Sequence, residues 1–425
     1  MPRSRALRRA LVAGTLVLAG VAGACAPSGR TTDTPDGRGP LTLVTGADLS
    51  GYLRGVLDDW DRSHPAEKVT LVELPQAADE VRAQMATSLR SGSDRYDVLN
   101  IDVAWNTEFA AAGWLAPLDA ARFPTKEFLP PVVNTATYNG RLYALPYVTN
   151  AGLLYYRKDI LDREGDKPPR TWSELEHLAK TVAPKYGLDG YAGQFLPYEG
   201  LTVNAAEAVQ SAGGSFLADD GRRVTVDSPQ ALKGIAFLAD GVRDGWIPKE
   251  ALTYKEEESR KAFQDGRLLF LRNWPYVHAL AERPDSKVAG KFGVVPLPGP
   301  DGPAASILGG SNLAINAHSR HKESAAEFLG YMTSRAVQRQ VLTKGALPPV
   351  WADLYSDPAL VRQFPYLPTL RKSVLAAQPR PKSPRYEQVD LAIQAVMQDA
   401  MAQRETPAQA VARLARELHA IAARH

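Results

Sequence analysis

Residues 138–161, YNGRLYALPYVTNAGLLYYRKDIL, carry the pattern that bears most directly on how the chain is organised. They begin near the dipeptide Asn139-Gly140, which favours a tight turn because both residues tolerate a positive φ. Two strand-like apolar runs follow, separated by Pro146, which cannot donate to a central ladder, and by small polar residues around Asn150. The pattern predicts either a crossover between two lobes or an ordinary hairpin within one domain. A crossover would place Asn150 at the edge of a cleft.

Four further segments carry a resemblance to a known family. They are GWLAPLD at 113–119, YEGL at 198–201, NWPY at 273–276 and RPKSPRY at 380–386. With residues 138–161 they resemble the extracytoplasmic solute-binding proteins of carbohydrate ABC importers, family 1, the maltose- and trehalose-binding type of lipoprotein. The resemblance implies an α/β fold of the periplasmic-binding-protein-like type II, with two α/β lobes joined by a multi-crossing hinge.

The size of the chain agrees with two lobes. Its 425 residues exceed one typical hydrophobic core, and 44% hydrophobic with 23% charged residues is typical of a globular protein. The Pro- and Gly-rich segment 292–300 and the segment 346–350 are predicted as return crossings. The predicted lobes are residues 41–147 plus 304–350 for lobe 1, and residues 148–303 plus 351–425 for lobe 2.

The N-terminus has the pattern of an export signal. Four arginines occur in the first nine residues, and residues 10–24 are almost entirely small and apolar, a run too short for a stable membrane span. The run ends in AGAC, which resembles a bacterial lipobox except that alanine replaces the usual leucine. We therefore predict a lipoprotein signal peptide at 1–24 and lipidation of Cys25. The pair Arg8-Arg9 leaves the export route open between the general secretory and twin-arginine pathways.

Cys25 is the only cysteine, which excludes intrachain disulfides and cysteine-cluster metal sites. Residues 25–40 are rich in Pro, Gly, Thr and Asp, and we predict that they form a flexible tether after the lipidated Cys25. Removing residues 1–24 deletes four arginines and no acid, which leaves 46 basic and 47 acidic residues. A near-neutral domain gives no electrostatic case for a nucleic-acid partner.

Polar side chains follow two predicted strands of the first lobe. Asp48 comes after the β-type run at 41–45, and Asp102 ends a buried strand. Ligands of open α/β sheets bind at the carboxyl ends of strands, but each carboxylate could instead cap the helix that follows. Trp105 could stack on the apolar face of a pyranose or pack in the core.

The second half supplies further candidates. Trp274 directly follows a predicted strand and is held by Pro275, so it could form a stacking platform or belong to the core. Tyr198 offers a ring and a hydroxyl and Glu199 an acceptor, although both could be structural. Arg380, flanked by prolines, presents a rigid fork of five donors suited to vicinal hydroxyls, or else lies solvated on the surface.

Two positions depart from the family pattern. Ser311 follows Gly309-Gly310 where relatives commonly carry an aromatic residue, and Asn150 stands where many relatives have aspartate. Paired glycines let the backbone approach a ligand closely. Asparagine keeps an acceptor, adds a donor and loses the charge. These departures leave the identity of the sugar open.

The resemblance implies a lipid-anchored substrate-binding component of an ABC importer at the extracytoplasmic face of the bacterial cell membrane. It would capture a trehalose- or maltose-type disaccharide between the lobes and deliver it to permease subunits that work with a cytoplasmic ATPase. We expect a monomer with no cofactor, metal or catalytic residue. The predicted ligand-binding residues are Asp48, Asp102, Trp105, Asn150, Tyr198, Glu199, Trp274, Tyr276, Gly309, Gly310, Ser311 and Arg380.

The sequence alone leaves three alternative functions open. The ligand could be another carbohydrate (an oligosaccharide, an amino sugar or a polyol), or the protein could be a surface adhesin or receptor without transport. An extracellular carbohydrate-active enzyme would need paired carboxylates across one bond. Asp97 and Asp102 lie five apart on a strand and point to opposite faces. The sequence contains no HExxH, GxSxG or P-loop motif, which favours binding over catalysis.

Overall fold

The computed structural model describes residues 37–48, 50–218 and 221–423 of the chain. The predicted signal peptide, Cys25 and the first part of the predicted tether lie outside the described residues. The strands are β1 (Leu41–Gly46), β2 (Val69–Leu74), β3 (Val98–Asp102), β4 (Thr137–Tyr138), β5 (Arg141–Leu142), β6 (Ala144–Ala151), β7 (Leu153–Arg157), β8 (Asp189–Ala192), β9 (Leu268–Asn273), β10 (Phe292–Pro296) and β11 (Leu308–Ile315).

The helices surround these strands on both lobes. They are α1 (Tyr52–Ser63), α2 (Ala78–Arg90), α3 (Asn106–Ala111), α4 (Pro130–Thr135), α5 (Lys158–Glu164), α6 (Trp172–Thr181), α7 (Glu199–Ser211), α8 (Pro229–Arg243), α9 (Glu256–Gln264), α10 (Val277–Ala281), α11 (Lys322–Met332), α12 (Arg335–Gly345), α13 (Pro358–Gln363), α14 (Leu367–Ala376), α15 (Tyr386–Met401) and α16 (Pro407–Ala422).

The first lobe is built on a five-stranded sheet in the order β2-β1-β3-β11-β6. Strand β1 runs parallel to β2 and β3, whereas β11 runs antiparallel to β3 and β6. The inner strands are apolar because both faces are covered; Leu43, Val98 and Leu313 are at most 1% exposed. Because β1 and β3 are parallel, Asp48 and Asp102 follow or end strands at the same edge of the sheet.

The second lobe is built on a four-stranded sheet in the order β10-β7-β9-β8. Strand β7 is antiparallel to β9 and β10, and β8 is parallel to β9. Every residue of β9 is buried, and the helices α7, α8 and α15 pack together beside this sheet. The end of β9 delivers the chain to Trp274, and the start of α7 presents Glu199.

Residues 138–161 form a crossover between the sheets and not a hairpin within one domain. The predicted turn at Asn139-Gly140 joins the short strands β4 and β5, and both residues have positive φ values, of 46° and 74°. Strand β6 then lies in the five-stranded sheet and β7 in the four-stranded sheet, with Gly152 between them. The chain returns from β10 to β11, and a further connection runs through residues 346–350 after α12. The predicted two-lobed α/β fold is confirmed.

Two hydrophobic cores accompany the two sheets, but they share elements of the chain. Phe128 and Val132, which precede the first crossing, pack in the core of the four-stranded sheet. Tyr386 opens α15 near the end of the chain, yet its fully buried side chain packs in the core of the five-stranded sheet. The lobe boundaries given above therefore remain a proposal.

Helix α15 is absent from the sequence-based predictions, although it contributes contacts to the candidate site. Helix α15 carries Tyr386 and Asp390 to the start of α7, where Glu199 lies. Among the described residues, no helix is both long and apolar enough to cross a membrane.

Candidate functional site

Arg380 joins the two lobes at the cleft. Its guanidinium donates to the carboxylate of Asp102, at the end of β3, and to that of Glu199, at the start of α7. The Arg380 side chain is 1% exposed, and those of Glu199 and Asp102 are 6% and 23% exposed. Pro379 and Pro381 fix the backbone on either side. Charge-assisted hydrogen bonds of this kind are strong and directional, so the arginine forms a bridge between opposite walls.

The Glu199 carboxylate accepts hydrogen bonds from a second side chain besides Arg380. The Tyr386 hydroxyl donates to the same carboxylate at 2.5 Å. Burial raises the pKa of Glu199, the guanidinium of Arg380 opposes this shift, and the neighbouring Asp102 carboxylate reinforces it. The position of Glu199 at the first turn of α7 also suits a negative charge, because the helix dipole is positive there. The side chain is thus held in one place by several contacts.

A second set of contacts crosses the cleft from α2 of the first lobe. The Asp79 carboxylate accepts a hydrogen bond from the Glu199 backbone N–H at 3.1 Å. Arg82 forms ion pairs with Glu108 of its own lobe at 2.6 Å and with Glu387 of α15 at 2.7 Å. The lobes are therefore in direct contact in this structure, and Arg380, Asp79 and Arg82 are among the polar residues that join them.

Three carboxylates meet where α2, α7 and α15 approach one another. The carboxylate oxygens of Asp79, Glu199 and Asp390 lie within 4.8 Å of one another. Asp390 accepts from the Thr202 hydroxyl, and from the Gln394 amide at 2.7 Å. Burial raises the pKa of Asp390 well above its ordinary value, and the nearby Glu199 carboxylate adds to this. Protonation of Asp390 therefore relieves repulsion in the assembled cleft.

Replacing Asp390 with asparagine should stabilise the protein at pH 8 relative to wild type and much less at pH 5. The folded protein raises the pKa of Asp390, so the stability tied to its proton is present at low pH and is lost as the pH rises through the raised value. We expect the free-energy difference between the two proteins to grow by about 1 kcal/mol or more over this range. Urea unfolding at both pH values measures it, and an equal difference at pH 5 and pH 8 would contradict the assignment.

Trp274 lies at the other end of the candidate cleft, against the first lobe. Its indole stands over the Arg272 guanidinium, with 4.1 Å between the guanidinium carbon and the ring centroid. The Tyr155 hydroxyl donates to its backbone carbonyl at 2.8 Å. A Cβ atom built on Gly309 would lie 2.8 Å from the ring, so the glycine is what allows β11 to approach. Trp274 is half-buried, which leaves part of the ring for a ligand.

The wall around Trp274 contains a carboxylate that sequence reasoning missed. Glu256 is half-buried at the start of α9. Burial raises its pKa, whereas the Tyr198 hydroxyl and the Trp274 side chain lower it. Tyr198 is buried, and its hydroxyl has no hydrogen-bond partner of normal geometry among the described residues. Tyr276 donates to Glu257 at 2.8 Å. The predicted Tyr198 and Tyr276 thus lie close to Trp274.

Asp48 and Trp105 have cap and core contacts in this structure. Asp48 accepts from the backbone N–H groups of Ser50 and Leu53, both at 2.9 Å, and so holds the start of α1. Trp105 is 3% exposed and packs in the first core, with its ring centroid 6.1 Å from that of Phe109. Its indole N–H has no partner among the described residues. A ligand contact for either residue remains a prediction.

The two departures from the family pattern lie on neighbouring strands beside these groups. Ser311 pairs in register with Asp102, and Gly309 with Asn150. Gly310 has a φ of 113°, and a Cβ there would lie 2.1 Å from the Val148 carbonyl oxygen. Strand β11 therefore runs from the Arg380 bridge, in which Arg380 joins Asp102 and Glu199, to the Trp274 platform, the indole ring beside Gly309. The predicted ligand-binding residues other than Asp48 and Trp105 lie near Arg380, strand β11 or Trp274. Their part in ligand binding remains a prediction.

Little space is left beside Arg380 in this arrangement. The cavity that it lines together with Thr107, Thr135 and Leu308 holds about 10 Å³, roughly the space for one water molecule. Pockets for small ligands usually measure about 300–1,000 Å³. A sugar therefore requires the lobes to separate or the bridging side chains to rearrange.

Two α/β lobes, three connections and a polar cleft with an aromatic wall define a hinged binding protein. The family model described as bacterial extracellular solute-binding protein matches residues 46–339. A probable ABC transporter-binding protein of Deinococcus radiodurans is 32% identical over 379 residues, which cover 86% of this chain and 89% of the relative.

Two solved structures show the same architecture. Maltose-bound T. maritima MalE3 superposes with a TM-score of 0.84 at 35% identity, covering 90% of this chain and 99% of that one. A solute-binding protein of an ABC transporter from Thermotoga lettingae TMO, bound with α-D-tagatose, gives a TM-score of 0.81 at 27% identity, with 90% and 100% covered. The chain belongs to the bacterial extracellular solute-binding proteins, and it shares the fold of the maltose-bound structure. The matching family and the relative from Deinococcus radiodurans are both described as binding proteins.

Proposed function

We propose that the protein captures a maltose- or trehalose-type disaccharide in the cleft and delivers it to the permease of an ABC importer. The observation that carries the proposal is the Arg380 bridge between Asp102 and Glu199, one carboxylate from each lobe, beside the Trp274 platform. Sugar hydroxyls can take the place of these polar partners, and the indole can cover an apolar sugar face. The similarity to a maltose-bound structure supports the choice of sugar.

Cleft closure supplies the signal for delivery in this proposal. Asp79 and Arg82 contact the second lobe, so a ligand that favours closure, with the Arg380 side chain rearranged to admit it, also favours these contacts. We further propose that Cys25 is lipidated and holds the protein, as a monomer, at the extracytoplasmic face of the membrane. The tagatose-bound relative supports other carbohydrates, including oligosaccharides, amino sugars and polyols, as alternatives.

A thermal-shift screen of residues 26–425 tests the proposal. The panel comprises maltose, trehalose, longer glucans, sucrose, tagatose, amino sugars and polyols. A ligand at 100 times its Kd should stabilise the native state by about 2.7 kcal/mol, which raises the Tm by several degrees. A shift with an α-linked disaccharide confirms the proposal, a shift with only another carbohydrate selects the alternative, and no shift with any of them contradicts both.

Replacing Trp274 with alanine should weaken binding of the identified sugar by about 1–3 kcal/mol, or about 5- to 150-fold in Kd, because the stacked face is lost. Calorimetric titration measures the change. Trp114, a half-buried tryptophan after α3 that contacts Phe109, is the matched control, and its replacement should leave Kd unchanged. Equal affinity of the Trp274 variant and wild type would place the sugar elsewhere.

A further inference from the structure

Beneath the Trp274 platform lies an ion pair enclosed within the second lobe. Arg272 donates through Nε and Nη2 to the two carboxylate oxygens of Glu207, at 2.6 Å each. The side chains are 1% and 7% exposed. A third donor, Nη1, reaches the Gln194 side chain at 2.8 Å, and Gln194 donates back to the Arg272 carbonyl at 3.0 Å. Three hydrogen bonds, from Nε, Nη1 and Nη2, thus hold the guanidinium group that contacts the indole.

Glu207 is in turn fixed by the crossings of the hinge. Its carboxylate accepts from the Ser306 hydroxyl and from the Ile307 backbone N–H, both at 3.3 Å, on the segment that leads to β11. At the first crossing, a Cβ built on Gly152 would lie 2.3 Å from the same carboxylate and 2.8 Å from Arg272. The pair is therefore packed against both connecting segments and against the platform.

We propose that Arg272, oriented by Glu207, is the positioning residue that sets the orientation of the Trp274 ring. The inference rests on the proposed function, since it takes Trp274 as the sugar platform. The guanidinium carbon lies 4.1 Å from the indole centroid, so the guanidinium covers one face of the ring, and the half-buried indole keeps part of its surface for the ligand. A ring already held in its binding orientation loses less side-chain entropy when a sugar arrives.

Stability alone does not explain this pair. A buried ion pair contributes little net stability compared with well-packed neutral groups, because desolvation offsets the attraction. Lysine in place of arginine keeps the charge but has neither the planar fork nor a face to stack. The variant Arg272→Lys therefore separates the positioning role from the charge, and the double variant R272M/E207Q removes both charges together if the single variant folds poorly.

The first experiment needs no sugar. The chain has seven tryptophans, so the fluorescence of Trp274 is obtained as the difference between each protein and its own W274F counterpart. In R272K and in R272M/E207Q, quenching of this difference signal by acrylamide should increase about twofold or more, because the released ring samples more rotamers. Unchanged quenching in both variants would overturn the proposal, whether or not the protein binds a sugar.

The second experiment is a double-mutant cycle on the Kd for maltose or the sugar found by the screen. R272K should weaken binding about tenfold in the wild-type background and hardly at all in the W274F background, since the effect passes through the indole. An equal loss in both backgrounds would show a purely structural role and contradict the proposal. If no carbohydrate binds the wild-type protein while R272K still increases the quenching, the positioning is upheld and the proposed function is what fails.

Discussion

Replacement of Arg380 by methionine should weaken sugar binding by about 30-fold or more. The variant removes the donor of two charge-assisted hydrogen bonds and leaves the Glu199 carboxylate, 6% exposed, without its cation. Asp102 then faces Glu199 across the cleft with no charge between them. Truncating one member of a buried hydrogen-bonded charge pair costs about 2–5 kcal/mol, which corresponds to roughly 30- to 5,000-fold in affinity.

Isothermal titration of the variant with the sugar found by the screen measures this loss. Arg371→Met is the matched control, because Arg371 is exposed on α14 and the same chemical change there should leave Kd unaltered. Arg380→Lys should fall between the two, since an ammonium group cannot span both carboxylates as a guanidinium does. A Kd for Arg380→Met within a few-fold of wild type would show that the bridge does not belong to the binding site.

Replacement of Gly152 by alanine should destabilise the protein by about 3 kcal/mol, because overpacking and disturbance of a buried ion pair act together. The added Cβ would lie 2.3 Å from Glu207 Oε1 and 2.8 Å from Arg272 Nη2. Neither side chain can withdraw without losing its partner. The φ of Gly152 is not among the positive values, so the cost is one of space and not of backbone conformation.

Urea unfolding of the Gly152→Ala variant tests this expectation. Gly55 provides a control of opposite sign: it is exposed within α1, and a Cβ there meets nothing within 4 Å. Gly55→Ala should stabilise the protein by about 0.5–1 kcal/mol, as expected for an exposed helical glycine. Similar stability changes for the two variants would mean that the surroundings of Gly152 accommodate a Cβ atom, contrary to the structure.

Features encoded by local sequence were predictable. The crossover at residues 138–161 is one of two alternatives that Pro146 and small residues between apolar runs leave open, and the place of Asp102 at the end of an apolar strand indicates either a ligand contact or a helix cap. Trp274 and Arg380 were identified because proline fixes their neighbours and the motifs are specific. Each of these signals lies within a few residues of the group it identifies.

Features created by long-range contacts were not predictable. Glu207 and Arg272 are 65 residues apart, and Asp79 and Glu199 are 120 apart, so no spacing in the chain indicates either contact. Each residue by itself looks like a solvated charge on a helix or strand. For Asp48 and Trp105, in contrast, the sequence offered two roles of similar weight, and the cap and core contacts in the structure depend on packing that no local pattern specifies.

The placement of Tyr386 has a consequence for how fast the cleft releases its cargo. The ring is embedded in the core of the first lobe, while its hydroxyl holds Glu199 of the second. Full separation of the lobes must withdraw this ring or break that bond, and a buried aromatic side chain covers about 150–250 Å². We expect the loss of these contacts to disfavour opening, and therefore to stabilise the closed arrangement and slow the release of the sugar. Tyr386, which is outside the predicted ligand-binding set, can thus oppose the opening of the cleft.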